Sequence, residues 1–283
     1  MAKLLSILAF VLLNAAEIKA SCCSQAGAGG AGRLLAHERA LVELSSKGSY
    51  TFGGFLGQKF TLGKKSPDLA FEQNLHIMAR LADYFMPFIH VPIVIKKSDD
   101  RVGGGLADIL VGARSNILPE NYFGHWPSLA LVNGVKIPTG RISTKDWPRK
   151  SEDITGMGEW QGFLGVVFEK QLGSITCSLG YTLGLEPHRT SHALSFSGNF
   201  LLHESGTMGV SLSPIFYGSL SQDGQKLLES EQRKITLALT YALKVHSKLT
   251  LIINAGSDVP LSYLGKDQNT DFFIKLAMRL GVF

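Results

Sequence analysis

The chain has 283 residues, with 28 Lys or Arg and 23 Asp or Glu, so its formal net charge is +5. Its mean hydropathy of +0.13 is too low for a bundle of membrane-spanning helices, and no stretch after residue 20 is apolar over the ~18 residues that a spanning helix needs. The basic residues are spread along the chain without a run, which argues against a nucleic-acid-binding surface.

The N-terminus has the three parts of a secretory signal. Lys3 supplies a positive charge, Leu4 to Leu13 form an apolar core, and Ile18-Lys19-Ala20 offers a cleavage site. We predict that residues 1–20 are removed on export, with a buried N-terminal helix as the alternative. Lipidation of Cys22 is the other alternative, but it needs a small-residue box before the cysteine, and Lys19 does not fit that box.

Residues 21–36 are rich in Gly and Ala, and we predict a loose periplasmic lead that could either plug a lumen or stay outside it. It contains the adjacent pair Cys22 and Cys23, which could form a bridge in an oxidising periplasm or remain unpaired. The chain has no CxxC motif and no His/Cys cluster, so we predict no metal site and no cofactor.

Residues 37–283 read as short strands with alternating character. In the clearest of them, every second residue is apolar, and the residues between are small or polar. The apolar set is Ile235, Leu237, Leu239, Tyr241, Leu243 and Val245. Because a strand sends successive side chains to opposite faces, one face is apolar and the other polar. After a secretory signal, this pattern indicates a transmembrane β-barrel with its apolar face towards lipid.

The alternation predicts about twelve strands. They cover residues 37–47, 69–80, 83–95, 105–117, 127–138, 160–171, 174–186, 192–203, 207–218, 231–246, 248–257 and 270–282. The predicted fold class is therefore all-β: an antiparallel up-and-down barrel over residues 37–283.

The connections between these strands alternate in length along the chain. Short ones are predicted at 81–82, 172–173, 204–206 and 247, with a somewhat longer one at 118–126. Long polar ones are predicted at 48–68, 96–104, 139–159, 187–191, 219–230 and 258–269. Outer-membrane barrels have short periplasmic turns and longer external loops, so both termini are predicted in the periplasm. We assign Phe55–Gly63 to the first external loop or to an extension of the first strand.

The same parity predicts which side chains point into the barrel. Charges avoid the lipid face, where each costs about 2–4 kcal/mol near mid-bilayer. The candidate lumen-lining residues are Glu72, His76, Arg80, Tyr84, Phe88, Asp108, Arg114, Lys136, Glu169, Lys275 and Arg279. Cys177 falls on the outward parity, and Phe283 is out of phase with the apolar series that ends at Val282.

Two interpretations of these inward residues stay open. The charges could form a constriction that filters solutes, or they could pair with one another and stiffen the barrel, since interior charges need partners in either case. The inward aromatic residues could line a route for an apolar solute or fill a narrow interior. They are Tyr84, Phe88, Phe163 and Phe273.

Three segments between residues 70 and 140 resemble one family of outer-membrane proteins. They are the glycine-rich strand Gly103–Arg114, the strand Pro127–Gly140 that ends in Lys-Ile-Pro-Thr-Gly, and the hairpin Ala79–Pro92. They are similar to the family assigned to transport in the MetA pathway of phenol degradation, although Ala82 and Ala107 stand where that family usually has Gly. The resemblance implies an outer-membrane barrel with a transport role, and it implies no catalytic residues.

Two other kinds of site are less well supported. Gly103–Asp108 could cradle a phosphate only if a helix followed it, but the next residues alternate as a strand. His192, Ser195 and Asn199 invite comparison with a barrel phospholipase. A nucleophile and its base must meet within hydrogen-bond reach, yet His192 and Ser195 lie on opposite faces of one strand.

The sequence therefore predicts a non-enzymatic channel or transporter in the bacterial outer membrane, for passive uptake of a small aromatic or apolar molecule. A lipid hydrolase and a non-conducting structural or surface-binding barrel are the alternatives. The predicted partners are the lipid bilayer with its lipopolysaccharide, the barrel-assembly machinery through the C-terminal strand, and the small solute. No nucleic-acid partner is predicted.

Overall fold

The structure is a computed structural model of the chain. It describes residues 34, 38–56, 59–62, 69–98, 101–119, 126–142, 154–156, 158–219, 221–222, 225–226, 232–261 and 268–283. The predicted signal segment and the Gly/Ala-rich lead, including Cys22 and Cys23, lie outside these residues apart from Leu34. No helix within these ranges is long and apolar enough to cross a membrane.

The described residues form sixteen strand segments. They are β1 (Ala40–Leu56), β2 (Lys59–Leu62), β3 (Leu69–Ala79), β4 (Phe85–Ser98), β5 (Arg101–Leu106), β6 (Ile109–Leu118), β7 (Ser128–Ile137), β8 (Gln161–Leu172), β9 (Ile175–Glu186), β10 (Arg189–His203), β11 (Gly206–Tyr217), β12 (Ser221–Gln222), β13 (Gln225–Lys226), β14 (Gln232–His246), β15 (Leu249–Pro260) and β16 (Gln268–Val282).

Twelve of these strands close into one antiparallel barrel. Each long strand pairs with its neighbours along the chain, and β16 pairs with β1 from Ala40 opposite Val282 to Phe55 opposite Gln268. β5 and β6 together fill one position beside β4, whereas β2 folds back on the end of β1. β12 and β13 form a separate small hairpin. The predicted fold class and strand number are confirmed.

The outer face of the barrel is apolar, as the alternation predicts. On β14, Leu237, Leu239 and Tyr241 are exposed, while Ala238 and Ala242, on the opposite parity, are buried. Exposed apolar residues also alternate on β10, β11 and β16, for example Leu194 and Phe196, Val210 and Leu212, and Ile274 and Leu276. Cys177 is also exposed, and Phe283 lies just beyond the end of β16. This exposed apolar surface is suited to hydrocarbon rather than to water.

The strands are longer at the external end than predicted. β1 continues to Leu56, and the segment from Phe55 to Gly63 supplies the end of β1 and the whole of β2. The predicted long connection at 187–191 is wrong, because residues 187–188 alone form a tight turn between β9 and β10. Much of the predicted loop 96–104 is likewise strand in β4 and β5. A bilayer needs only about 9–11 residues of each strand, so the polar ends extend beyond it.

A charge on the outer face tests this placement in the bilayer. Leu239 lies midway along β14 and is 55% exposed, and we expect Leu239→Arg to lower the free energy of unfolding by about 2–4 kcal/mol. Val245 is equally exposed but adjoins the turn at residues 247–248, so Val245→Arg should cost only about 0–1 kcal/mol. Denaturant titration in lipid vesicles measures both values, and equal costs at the two positions would contradict a membrane-spanning outer face.

Candidate functional site

The inward face of the strands carries nearly all of the candidate residues. Glu72 and His76 lie on β3, Phe88 on β4, Arg114 on β6, Lys136 on β7, Glu169 on β8, and Lys275 and Arg279 on β16, all on the parity opposite to the exposed apolar residues. Arg80 follows the end of β3, and Asp108 lies between β5 and β6. Tyr84 is different: it lies in the turn before β4 and is 66% exposed, outside the row of interior side chains.

Interior charges of different strands pair with one another along the inner face of the barrel wall. Arg114 donates to Glu169 at 2.7 Å, Lys275 to Glu43 at 3.1 Å, and Arg279 to Glu38 at 2.7 Å. Arg114 on β6 reaches the carboxylate of Glu169 on β8, two strands away, so two of the candidate charges pair with each other. The two acidic partners Glu38 and Glu43 were missed by the sequence reasoning. They meet β16 only through barrel closure, and local alternation gives no signal of that pairing.

An apolar cluster fills part of the lumen on the wall formed by β1 to β8. It consists of the buried residues Leu34, Leu41, Met78, Met86, Phe88, Leu110 and Val132, with Phe163 and Val167 packed against it. Leu34 precedes the first strand, yet it is only 2% exposed among these inward side chains. The Leu34 side chain therefore lies inside the lumen and narrows it at this point.

Three inward aromatic rings lie against glycines on adjacent strands. The ring of Phe88 lies where a side chain at Gly112 would be, and Phe163 covers Gly134 in the same way. Phe273 covers Gly256 on β15. Packing of an aromatic ring over a glycine of the neighbouring strand helps to fix the register of the two strands. The rings therefore line the wall instead of crossing the lumen.

The opposite wall, from β9 to β15, is lined by small polar side chains. Ser178 and Ser197 share a hydrogen bond of 2.6 Å, and Asn254 donates to Thr240 at 2.7 Å. Thr176, Asn199 and Ser211 are buried on the same inward face. The lumen is therefore two-sided: the wall from β1 to β8 combines the apolar cluster with charged side chains, and the wall from β9 to β15 carries mainly hydroxyl and amide groups.

Asp108 lies at a break in the wall, where β5 ends and β6 begins. Its carboxylate accepts a hydrogen bond from the backbone N–H of Gly140 at 3.0 Å. Nearby, Thr139 donates to the carbonyl of Ala107 and Thr155 to that of Leu106, both at 2.7 Å. These bonds attach parts of the β7–β8 connection to the barrel wall. The glycines before Asp108 belong to strand β5, so no helix N-terminus is present there to bind phosphate.

A cavity of about 540 Å³ lies next to this break, near the external end of the lumen. Its polar lining includes Glu72, His90, Lys96, Asp108 and Lys136. Its apolar lining comes from Pro92, Val94, Leu110 and Ile154, among others. A volume of this size is typical of small-molecule sites, which are usually about 300–1,000 Å³. The cavity and the two-sided lumen below it are the candidate functional site.

The catalytic alternative has no matching geometry among the described residues. His192 lies on the outer face and shares a hydrogen bond of 2.8 Å with the hydroxyl of Tyr181. Ser195 points inward, against Gly180 of β9. The two side chains thus lie on opposite faces of β10, as the sequence predicts, and cannot act as nucleophile and base.

Solved structures share this fold. The COG4313 outer membrane channel from Pseudomonas putida F1 superposes with a TM-score of 0.75 at 14% identity, covering 90% of this chain and 100% of that one. The chain has the fold of an outer-membrane β-barrel. The translocator domain of the autotransporter NalP from Neisseria meningitidis matches with a TM-score of 0.51 at 8% identity, over 86% of this chain and 88% of that one. No family model and no curated protein sequence matches this barrel.

The lipid-facing surface and the closed barrel agree in placing the chain in the bacterial outer membrane. Its exposed apolar face contacts the lipid of that membrane. Among the described residues, the interior combines a cavity with charged, polar and apolar side chains.

Proposed function

We propose that this barrel is a passive outer-membrane channel for a small molecule with an apolar or aromatic body. The observation that carries the proposal is the two-sided lumen, which offers apolar packing on one wall and hydrogen bonds on the other. A solute with an apolar body and a few polar groups would keep both kinds of contact along such a route. The resemblance of residues 70–140 to the MetA-pathway transport family supports the same proposal at family level.

Passive movement needs no chemistry, so the proposal includes no catalytic residue and no cofactor. The candidate lumen-lining residues are proposed to act by shape and charge, with the exposed turn residue Tyr84 left out. The partners in this proposal are the solute, the bilayer with its lipopolysaccharide, and the assembly machinery that would bind strand β16. A non-conducting structural barrel is the second candidate, favoured by the burial of Leu34 inside the lumen.

Reconstitution into planar bilayers and into vesicles tests the channel proposal. We expect the folded mature chain to give small, discrete conductance steps, because the apolar cluster narrows the lumen, and to admit small solutes more readily than large ones in a swelling assay. The same preparation, heat-denatured before reconstitution, is the control. If neither the mature chain nor a variant lacking residues 21–38 conducts ions or admits any solute, the barrel is not a channel.

A further inference from the structure

Two amide side chains lie on the lipid-facing side of the barrel, where the alternation otherwise places apolar residues. On the outward face of β3, Gln73 lies between the exposed residues Phe71 and Leu75. On β7, Asn133 is itself exposed and likewise lies between exposed apolar residues of its own strand. Neither side chain belongs to the lumen, because strand parity puts both of them on the outer face.

Both amides lie close to the middle of the bilayer. Gln73 is six positions from the periplasmic end of β3 and four from its external end. Asn133 is five positions from the periplasmic end of β7 and four from its external end. The two residues therefore lie at similar depths. Hydrocarbon offers no hydrogen-bonding group there, and a polar group placed in it without a partner is unfavourable.

The barrel itself satisfies only part of the hydrogen-bonding capacity of these amides. Gln73 Nε2 donates to the hydroxyl of Ser46, which lies beside it on β1, at 2.8 Å. This bond orients the Gln73 amide and leaves its carbonyl oxygen and second N–H without a partner among the described residues. The Asn133 side chain makes no hydrogen bond to the parts of the chain that the structure describes. Each amide can both donate and accept, so one can pair with another.

The other side of the outer face has a different composition. From β8 to β16, the outward residues at mid-strand are apolar: Val166, Leu179, Phe196, Leu212, Leu239, Ile253 and Leu276. Between the two amides, β4 and β6 also present apolar residues, among them Ile89, Val111 and Ala113. The side from β1 to β7 thus combines an apolar centre with one amide on each flank.

A two-fold axis perpendicular to the membrane would bring these amides together across a pair of barrels. Gln73 and Asn133 are three strand positions apart, which is about 14 Å along the wall. When two copies face each other in the same orientation, the left flank of one face meets the right flank of the other. Gln73 of one copy then meets Asn133 of the second copy, and the symmetry repeats that contact on the other side of the axis.

The area of this side is large enough for a specific dimer. The five strand positions from β1 to β7 span about 24 Å, and the apolar band of a barrel is about 25 Å tall. The face therefore covers about 600 Å² on each copy, or about 1,200 Å² in a dimer. That area is at the lower limit of stable protein interfaces.

We propose that the outer face from β1 to β7 is the contact surface of a membrane-embedded homodimer. The occupant of this face is a second copy of the chain, with Gln73 of each copy hydrogen-bonded to Asn133 of the other. Val111 and Ala113 pack against the second copy between these contacts, and Ser46 orients the Gln73 amide. Each barrel keeps its own lumen, so the inference is independent of the proposed channel function.

Disulfide cross-linking of the full mature chain in lipid vesicles tests the contact itself. The background carries Cys22→Ser, Cys23→Ser and Cys177→Ser, so that native cysteines cannot react. On oxidation, a mixture of Gln73→Cys chains and Asn133→Cys chains should give several-fold more cross-linked dimer than either chain alone. The mixed dimer brings the two new thiols together and keeps the second amide contact, whereas equivalent positions lie on opposite sides of the axis. Equal cross-linking in all three preparations, or none in any, would overturn the proposal.

Sedimentation equilibrium in density-matched micelles measures the dimer without a cross-link. We expect Gln73→Leu and Asn133→Leu each to weaken dimerisation about ten-fold, because each change removes hydrogen bonds between the copies. The exchange of Gln73→Asn with Asn133→Gln should keep the dimer, since it keeps an amide on each flank. Leu179→Val, on the other side of the barrel, should leave the dissociation constant unchanged.

Folding does not confound this measurement, because loss of an amide from the lipid face should not destabilise the barrel, and heat-modifiable migration on gels verifies it. A monomeric unaltered chain would mean that lipid alone covers this face, and the proposal would be wrong. A dimer that the two leucine variants leave unchanged would equally contradict the assigned surface.

Discussion

Arg114→Ala is expected to destabilise the barrel by about 3–5 kcal/mol without changing its ion selectivity. Arg114 and Glu169 form a hydrogen-bonded ion pair of 2.7 Å, and their side chains are only 3% and 8% exposed. Removing one partner of a buried pair leaves the other charge buried without its main counter-charge. The resulting loss in the free energy of unfolding is larger than the net stability that the intact pair provides. The pair is too well sealed from lumen water to act as a filter for passing ions.

The double variant Arg114→Met with Glu169→Leu is the matched control. Replacing a buried ion pair by packed apolar side chains is often neutral or stabilising, so this variant should recover most of the lost stability. Denaturant titration in vesicles measures the free energy of unfolding, and reversal potentials in a salt gradient measure the selectivity. A double variant that is stable but has an altered cation-to-anion preference would show that the pair takes part in filtering.

Asp108 is a separate case from Arg114, although both were candidates for one charged ring. Its carboxylate holds the backbone of Gly140, so it positions the β7–β8 connection beside the cavity. The two candidates therefore have different physical roles. Arg114 stabilises the wall, while Asp108 shapes the external entrance.

The period-two pattern predicted the twelve long strands and the facing of their side chains, although the turn residue Tyr84 was wrongly placed inside the lumen. A lipid-facing strand alternates between apolar residues and small or polar residues, as at Leu237, Ala238 and Leu239. This alternation can be recognised in a single strand, without knowing which strands pair with it. The closed barrel follows from it, because a membrane leaves no open sheet edge unpaired. These features depend on local sequence, which explains why they could be predicted.

The pairing inside the lumen could not be predicted in the same way. Lys275 meets Glu43 only because β16 closes against β1, and 232 residues separate the two in sequence. The apolar cluster inside the first strands could not be predicted either. The adjacent residues Ile77 and Met78 lie on opposite faces of β3 but are both apolar, so the sequence there does not show which face points inward. Register and closure, which are properties of the whole barrel, decide these contacts.

Removal of residues 21–38 is expected to raise the single-channel conductance several-fold. Leu34 is buried in the apolar cluster, so its deletion removes one of the side chains that narrow the lumen. Glu38 fixes the chain at the entrance to β1 through its ion pair with Arg279, and its carboxylate occupies the space beside Gly281. Without these two contacts, nothing from the chain before Arg39 would remain in that part of the lumen.

A point variant distinguishes the obstruction by Leu34 from a general loss of structure. Glu38→Gln keeps the chain before β1 but weakens the ion pair with Arg279, so it should raise the conductance less than the deletion does and increase the frequency of switching between levels. Single-channel recording at equal salt measures both effects, and heat-modifiable migration verifies the fold. An unchanged conductance after deletion, in a barrel that is still folded, would mean that Leu34 does not limit the route. The narrowest point would then lie among Met78, Phe88 and Val132 on the wall itself.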